Sequence, residues 1–241
     1  MKNNEFQNLI DDLKAHRNPE RAKLSQHYFK TGKGEYAEGD IFLGIPVPLK
    51  RKIANKYKHL DTTQLGILLE NEIHDVRFCA LIIMLSKAKT SPEEMYNLYL
   101  AKTKFINNWD LVDVSAEIIV GRFLSKKDCS VLYTLAKSPL LWNRRIAIIS
   151  TFAFIKQGLH EHTLKIAKIL MQDKQDLMHK AVGWMLREVG KRCDMNILEN
   201  FLENHAAIMP RTMLRYSIEH MSPEKKQYFM QAKNRIKCST F

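Results

Sequence analysis

Apolar residues recur every three to four positions along almost the whole chain, and the few Gly and Pro residues fall between these periodic stretches. That spacing turns one stripe of each segment inward and predicts α-helices throughout; no stretch alternates with the period of two that a half-buried strand needs. Helix starts are expected at Asp61-Thr62-Thr63, Ser91-Pro92-Glu93-Glu94 and Ser222-Pro223-Glu224, each led by a residue whose side chain can cap free N–H groups. Gly158 and Gly190 are expected as left-handed C-caps. Ser150 and Thr151 are expected to sit inside one helix from Arg145 to Gln157. The opening MKNNEFQNLIDDLKAHRNPE has no apolar signal core and reads as an amphipathic helix.

The helical segments repeat. Five of them carry a charged residue followed three positions later by a small or apolar one: Arg77 and Ala80, Asp113 and Ala116, Arg144 and Ala147, Lys180 and Gly183, Arg211 and Leu214. The leading residues are 36, 31, 36 and 31 positions apart. A repeat of this length holding two helices is the mark of an α-solenoid, in which each pair packs on its neighbours. The expected fold is all-α: one right-handed solenoid of HEAT-like repeats over residues 1–241, with second helices lining a concave groove.

Composition narrows the class. The 241 residues are 45% hydrophobic and 27% charged, as in an ordinary folded protein. The longest apolar run, Phe78 to Leu85, is far short of the roughly 18 residues that span a bilayer. Cys79, Cys129, Cys193 and Cys238 form no CxxC pair, and read as reduced thiols of a cytoplasmic protein. With 38 Lys and Arg against 26 Asp and Glu, the formal net charge is +12. That points to a polyanion, with nucleic acid first and an acidic membrane or protein surface behind it.

Against this background Asp113 is odd, a carboxylate at a position otherwise held by Arg or Lys. It is either a ladder partner for a neighbouring Arg or a carboxylate set in a phosphate groove for a purpose. Trp109 lies four residues earlier on the same helix face, beside the apolar face of Val112, Ala116, Ile119 and Phe123. Residues 177–192 separate into two stripes at identical spacing: apolar Met178, Val182, Met185 and Val189, and basic Lys180, Trp184, Arg187 and Lys191. The second stripe suits DNA, with cations for phosphates and an indole for a sugar or base; the alternative is a Trp184 tucked under a neighbouring helix. Arg144 and Arg145 are expected to open their helix, where an anion could dock on guanidinium and free N–H groups together. The alternative is an Arg held by a carboxylate of the next repeat. His160 and His162 have no metal-site spacing, the glycines at 32, 34, 39 and 44 match no phosphate-binding loop, and no GxSxG or Cys-His pattern is evident.

The stretches YFKTGKGEYAEGDIFLGIPVP, NNWDLVDVSAEIIVGRFL, LWNRRIAIIS, HKAVGWMLREVGKR and MPRTMLRYSIEHM together resemble the bacterial AlkD-type DNA alkylation-repair glycosylases, over about residues 20 to 225. The resemblance implies a HEAT-like solenoid that holds duplex DNA carrying N3- or N7-alkylated purines, excises those bases, and uses no metal or cofactor. It implies a cytoplasmic monomer acting at the nucleoid. Asp113 falls on the catalytic carboxylate of a Trp-Asp-x-x-Asp element and Trp109 on its aromatic partner, Trp184 on the catalytic Trp of a Lys-Ala-x-Gly-Trp element, and Arg145 on the Arg of a Trp-x-x-Arg element. Arg187, Lys180, Lys191 and Tyr28 fall among the DNA-binding positions. The Thr31 to Asp40 segment is not present in every member of that family. A non-catalytic scaffold that binds nucleic acid or protein is the competing expectation.

Overall fold

The computed structural model describes residues 5–234, so Cys238 lies outside the described residues. The chain forms two compact units, one ending at Phe123 and the other beginning at Leu124. The first holds α1 (Glu5–Ala15), α2 (Pro19–Tyr28), α3 (Val47–Lys56), α4 (Thr62–Leu69), α5 (His74–Lys87), α6 (Pro92–Ala101) and α7 (Trp109–Ala116), which runs on into a π-helical turn, Glu117–Gly121. After the single turn α8 (Arg122–Leu124), the second unit holds α9 (Ser130–Ala136), α10 (Leu141–Ser150), α11 (Phe152–Ile155), α12 (Glu161–Leu170), α13 (Asp176–Arg192), α14 (Met195–His205), α15 (Arg211–Ser217) and α16 (Pro223–Met230). Among the described residues no strand forms, and the one extended pairing is an isolated bridge between Ile41 and Ile73. The fold is all-helical.

The five repeat positions fall on α5, α7, α10, α13 and α15, each preceded by another helix. Within the first unit α3 packs on α5 and α5 on α7; within the second, α10 packs on α13 and α13 on α15. Helices that carry the repeat residue therefore stack on one another, as a two-helix repeat requires. Their inner stripes are sealed: Val76, Ala80 and Ile83 of α5, Leu111 and Val112 of α7, and Met178, Val182, Met185 and Val189 of α13 have no solvent exposure. Among the described residues no helix is long and apolar enough to cross a membrane. Cys79, Cys129 and Cys193 are free, the first two buried.

Asp61 caps α4 through a capping box with Gln64, and Ser222 caps α16 through the Lys225 N–H. Two expectations are corrected. Gly190 does not end a helix but lies inside α13, because α14 crosses there: a Cβ at this position would stand 2.7 Å from Leu198 Cδ2. The expected helix from Arg145 to Gln157 is two: α10 starts four residues earlier, at Leu141, and its ladder is interrupted at Thr151, whose hydroxyl donates to the Ile148 carbonyl at 2.7 Å. Arg144 and Arg145 therefore lie one turn inside α10 rather than at its N-terminus.

Candidate functional site

Two of the repeat arginines do the same structural work. Arg77 Nη1 donates to the Asn71 and Glu72 carbonyls at 2.7 and 3.1 Å, and Nη2 reaches Asp40 Oδ1 at 2.7 Å. Arg144 Nη1 donates to the Ser138 and Pro139 carbonyls at 3.0 and 2.8 Å, and Nε reaches Asp173 Oδ2 at 2.6 Å. The offsets are identical, six and five residues back. Each guanidinium thus clamps the turn that leads into its own helix and is neutralised by one carboxylate. For Arg144 this is the carboxylate-held alternative raised from the sequence.

At α7 the clamp position holds Asp113, which cannot donate to carbonyls. The turn is secured differently. Asn108 Oδ1 caps the helix by accepting the Trp109 N–H at 2.8 Å, and Asn107 bridges Arg77 and Asp40 at 3.1 Å each. Asp113 is half-buried, and its negative charge helps raise the phenol of Tyr99, whose full burial is the larger cause. One turn further on, the π-helical turn widens the backbone spiral, a feature frequent at functional sites.

Trp109, one turn before Asp113, anchors an aromatic cluster. Its ring stacks on Phe29 at 5.3 Å between centroids and meets Tyr28 edge-on at 5.9 Å, while Tyr28 itself stays 64% exposed. Behind them Phe42 stacks on His74 at 4.3 Å, and His74 Nε2 lies 2.9 Å from Asp110 Oδ1. Asp110, the first acid of the Trp-Asp-x-x-Asp element, thereby fixes the fully buried His74. The Trp109 indole N–H donates to Tyr36; burial pushes the Tyr36 phenol up, and this donated bond partly offsets it. Tyr36 comes from the 31–40 segment, which Asp40 anchors to Arg77. Sequence reasoning missed Phe29, Tyr36 and His74, because no spacing links these positions to Trp109.

In the second unit the two stripes of α13 separate as read from the sequence. Lys191 is exposed and Lys180 partly so, with Lys180 Nζ 2.8 Å from Asp176 Oδ2. Trp184 is half-buried against Phe152, 6.0 Å between ring centroids, and the Lys156 and Arg192 cations lie over that Phe152 ring at 4.4 and 5.2 Å. Arg187 pairs with Glu219. Arg145 is 5% exposed and its Nη1 donates to the Leu177 carbonyl at 2.7 Å, tying α10 to the first turn of α13. Within the first unit, then, Tyr28, Trp109 and Asp113 gather on and beside α7; within the second, Lys180, Trp184, Arg187 and Lys191 share α13. Among the described residues no three His, Cys, Asp or Glu side chains form a group that could hold a metal.

No curated protein matches the chain. A solved structure titled "Predicted DNA alkylation repair enzyme from Enterococcus faecalis" is similar with a TM-score of 0.70 and 17% sequence identity, over 86% of this chain and 97% of that one, a likeness of fold. The sequence profile described as DNA alkylation repair enzyme matches residues 9–221. That is most of the chain, including every candidate residue above, and the protein belongs to the DNA alkylation repair enzyme family.

Proposed function

We propose that the protein is a DNA N-glycosylase that releases positively charged N3- and N7-alkylated purines from duplex DNA. Family membership carries a role in the repair of alkylated DNA; the reaction and the residues are the proposal, as are the HEAT-like nature of the repeats, their organisation as one solenoid, and action as a monomer. The observation that supports it best is the replacement of a repeat clamp by Asp113. Where Arg77 and Arg144 hold a turn, α7 carries a carboxylate one turn from a tryptophan with an open aromatic neighbour, and the turn is held by Asn107 and Asn108 instead.

The chemistry needs little more. An alkylated N7 or N3 places positive charge on the purine, which departs as a neutral base without a general acid. Cationic character then develops on the deoxyribose. A fixed carboxylate stabilises that charge and orients water towards C1′, as carboxylates do in glycosidases. The face of Trp109 adds cation–π attraction of roughly 0.5–2 kcal/mol, and Trp184 offers the aromatic face of α13. Tyr28, Lys180, Arg187 and Lys191 bind the backbone, Arg187 by the exchange described below, and Arg145 supports the α13 face.

The test is base release from a duplex carrying one N7-methylguanine, with a hypoxanthine duplex alongside. Release of the methylated base and not of hypoxanthine, which leaves well only when protonated, is the expected result. Binding without any release would favour the scaffold reading.

A further inference from the structure

The ion pairs of the α13 face carry one step further, on the reading that this face meets DNA. α15 lies against α13 in a fixed register. Asp176 accepts a hydrogen bond from Thr212, a Cβ on Gly183 would stand 2.5 Å from both the Met213 carbonyl oxygen and Tyr216 Cβ, and Arg187 pairs with Glu219. Glu219 belongs to the turn that follows α15. Its side chain is 55% exposed, whereas that of Arg187 is 18% exposed.

The guanidinium is thus a fixed group and the carboxylate a movable one. The fork is also incompletely used. Among the described residues, Arg187 Nε is buried without a hydrogen-bond partner. Nη2 lies 3.9 Å from Glu188 Oε1, and that buried carboxylate is engaged by Arg192 at 2.6 Å. A planar fork with one carboxylate on a single arm, set in a stripe with Lys180, Trp184 and Lys191, matches a phosphate that would take two arms at once. We propose that Glu219 is a displaceable stand-in for a DNA phosphate at Arg187, so that opening this ion pair is a step of binding. The device restrains adventitious anions and lets only a ligand that engages the neighbouring Lys180 and Lys191 as well displace the carboxylate.

The test measures affinity for a labelled duplex at low salt, comparing the parent with Glu219→Gln, Arg187→Met and the double variant. Glu224→Gln, which removes an equal charge elsewhere in the same unit, is the control. Glu219→Gln should tighten binding about two- to five-fold, the range of an exposed ion pair, and more than Glu224→Gln does. The gain should vanish in the Arg187→Met background and shrink as salt is added. A Glu219→Gln variant that binds like the parent, or gains no more than Glu224→Gln or as much without Arg187 as with it, overturns the proposal while leaving DNA binding intact. A parent that fails to bind duplex DNA at low salt removes the underlying reading and this inference together. If Arg187→Met fails to fold, the comparison of Glu219→Gln with Glu224→Gln still decides.

Discussion

A carboxylate in a protein with a net charge of +12 opposes the approach of phosphates, so its removal separates binding from chemistry. Asp113→Asn keeps the volume of the side chain and removes its charge. Duplex binding should be equal to the parent's or slightly tighter, while single-turnover excision of N7-methylguanine should lose about 2–4 kcal/mol of transition-state stabilisation. Excision at the parent rate would reduce Asp113 to a structural residue of the repeat. Trp109→Ala should cost less, because the indole supplies only part of the cation–π attraction, and it should also disturb Tyr28, Phe29 and Tyr36, which rest on that ring. Asp113 and Trp109 were legible in the sequence as candidates, because Asp113 interrupts a repeat and Trp109 shares its helix face. Phe29, Tyr36 and His74 were not: they reach the site from α2's end, an irregular loop and the buried start of α5, and only the fold brings them together.

Between helices, glycines set the distances and buried pairs set the register. A methyl group at Gly183 meets backbone, the Met213 carbonyl, as well as Tyr216 Cβ, so Gly183→Ala must separate α13 from α15. It should lower stability by about 1–3 kcal/mol in urea denaturation. Gly190→Ala first meets a flexible side-chain end, Leu198 Cδ2, and gains about 1 kcal/mol of helix propensity, so it should cost distinctly less. Similar costs would show that the two crossings yield alike. At the other end of the chain Tyr57 ties α3 to α1 by donating to Asp12 Oδ2 at 2.9 Å. Burial, then this bond, pushes the phenol up to about 12 from its ordinary value of 10.0. Below pH 10 both folded and unfolded chains keep that proton, and the contribution is complete. Between pH 10 and about 12 the unfolded chain ionises first, so stability falls as pH rises. Tyr57→Phe should flatten that part of the stability–pH curve relative to the parent; superimposable slopes would remove the assignment. Helix type and the starts led by Asp61, Ser91 and Ser222 were legible here from periodicity and cap residues, whereas Gly190 and Thr151 were misread. A glycine chosen for a crossing and one chosen for a C-cap look alike in sequence, as do a helical Thr and one that turns its hydroxyl back on the ladder.

For the whole molecule the question is how many of its many cations meet phosphates. Four are expected from the sequence, Arg145, Lys180, Arg187 and Lys191, which gives a log–log salt slope of roughly −3 to −4 for duplex binding. The placement of Arg145, 5% exposed and donating to the Leu177 carbonyl, assigns it to holding α10 on α13. Three full contacts give about −2.7, at roughly −0.9 for each phosphate neutralised, and the expected slope is shallower than this because Glu219 offsets part of the Arg187 charge. The four substitutions to Ala should accordingly behave differently. Lys180→Ala and Lys191→Ala should each flatten the slope by about one unit with little change in melting temperature. Arg187→Ala should flatten it by less, since Glu219 offsets part of its charge before DNA arrives. Arg145→Ala should leave the slope unchanged and instead lower the melting temperature, because it removes the hydrogen bond to the Leu177 carbonyl and opens a cavity between two packed helices. Salt titrations of the four variants beside their thermal melts check this directly. A full unit of slope lost with Arg145 at unchanged melting temperature would return that residue to the DNA, and a parent slope near zero would remove nucleic acid as the ligand altogether.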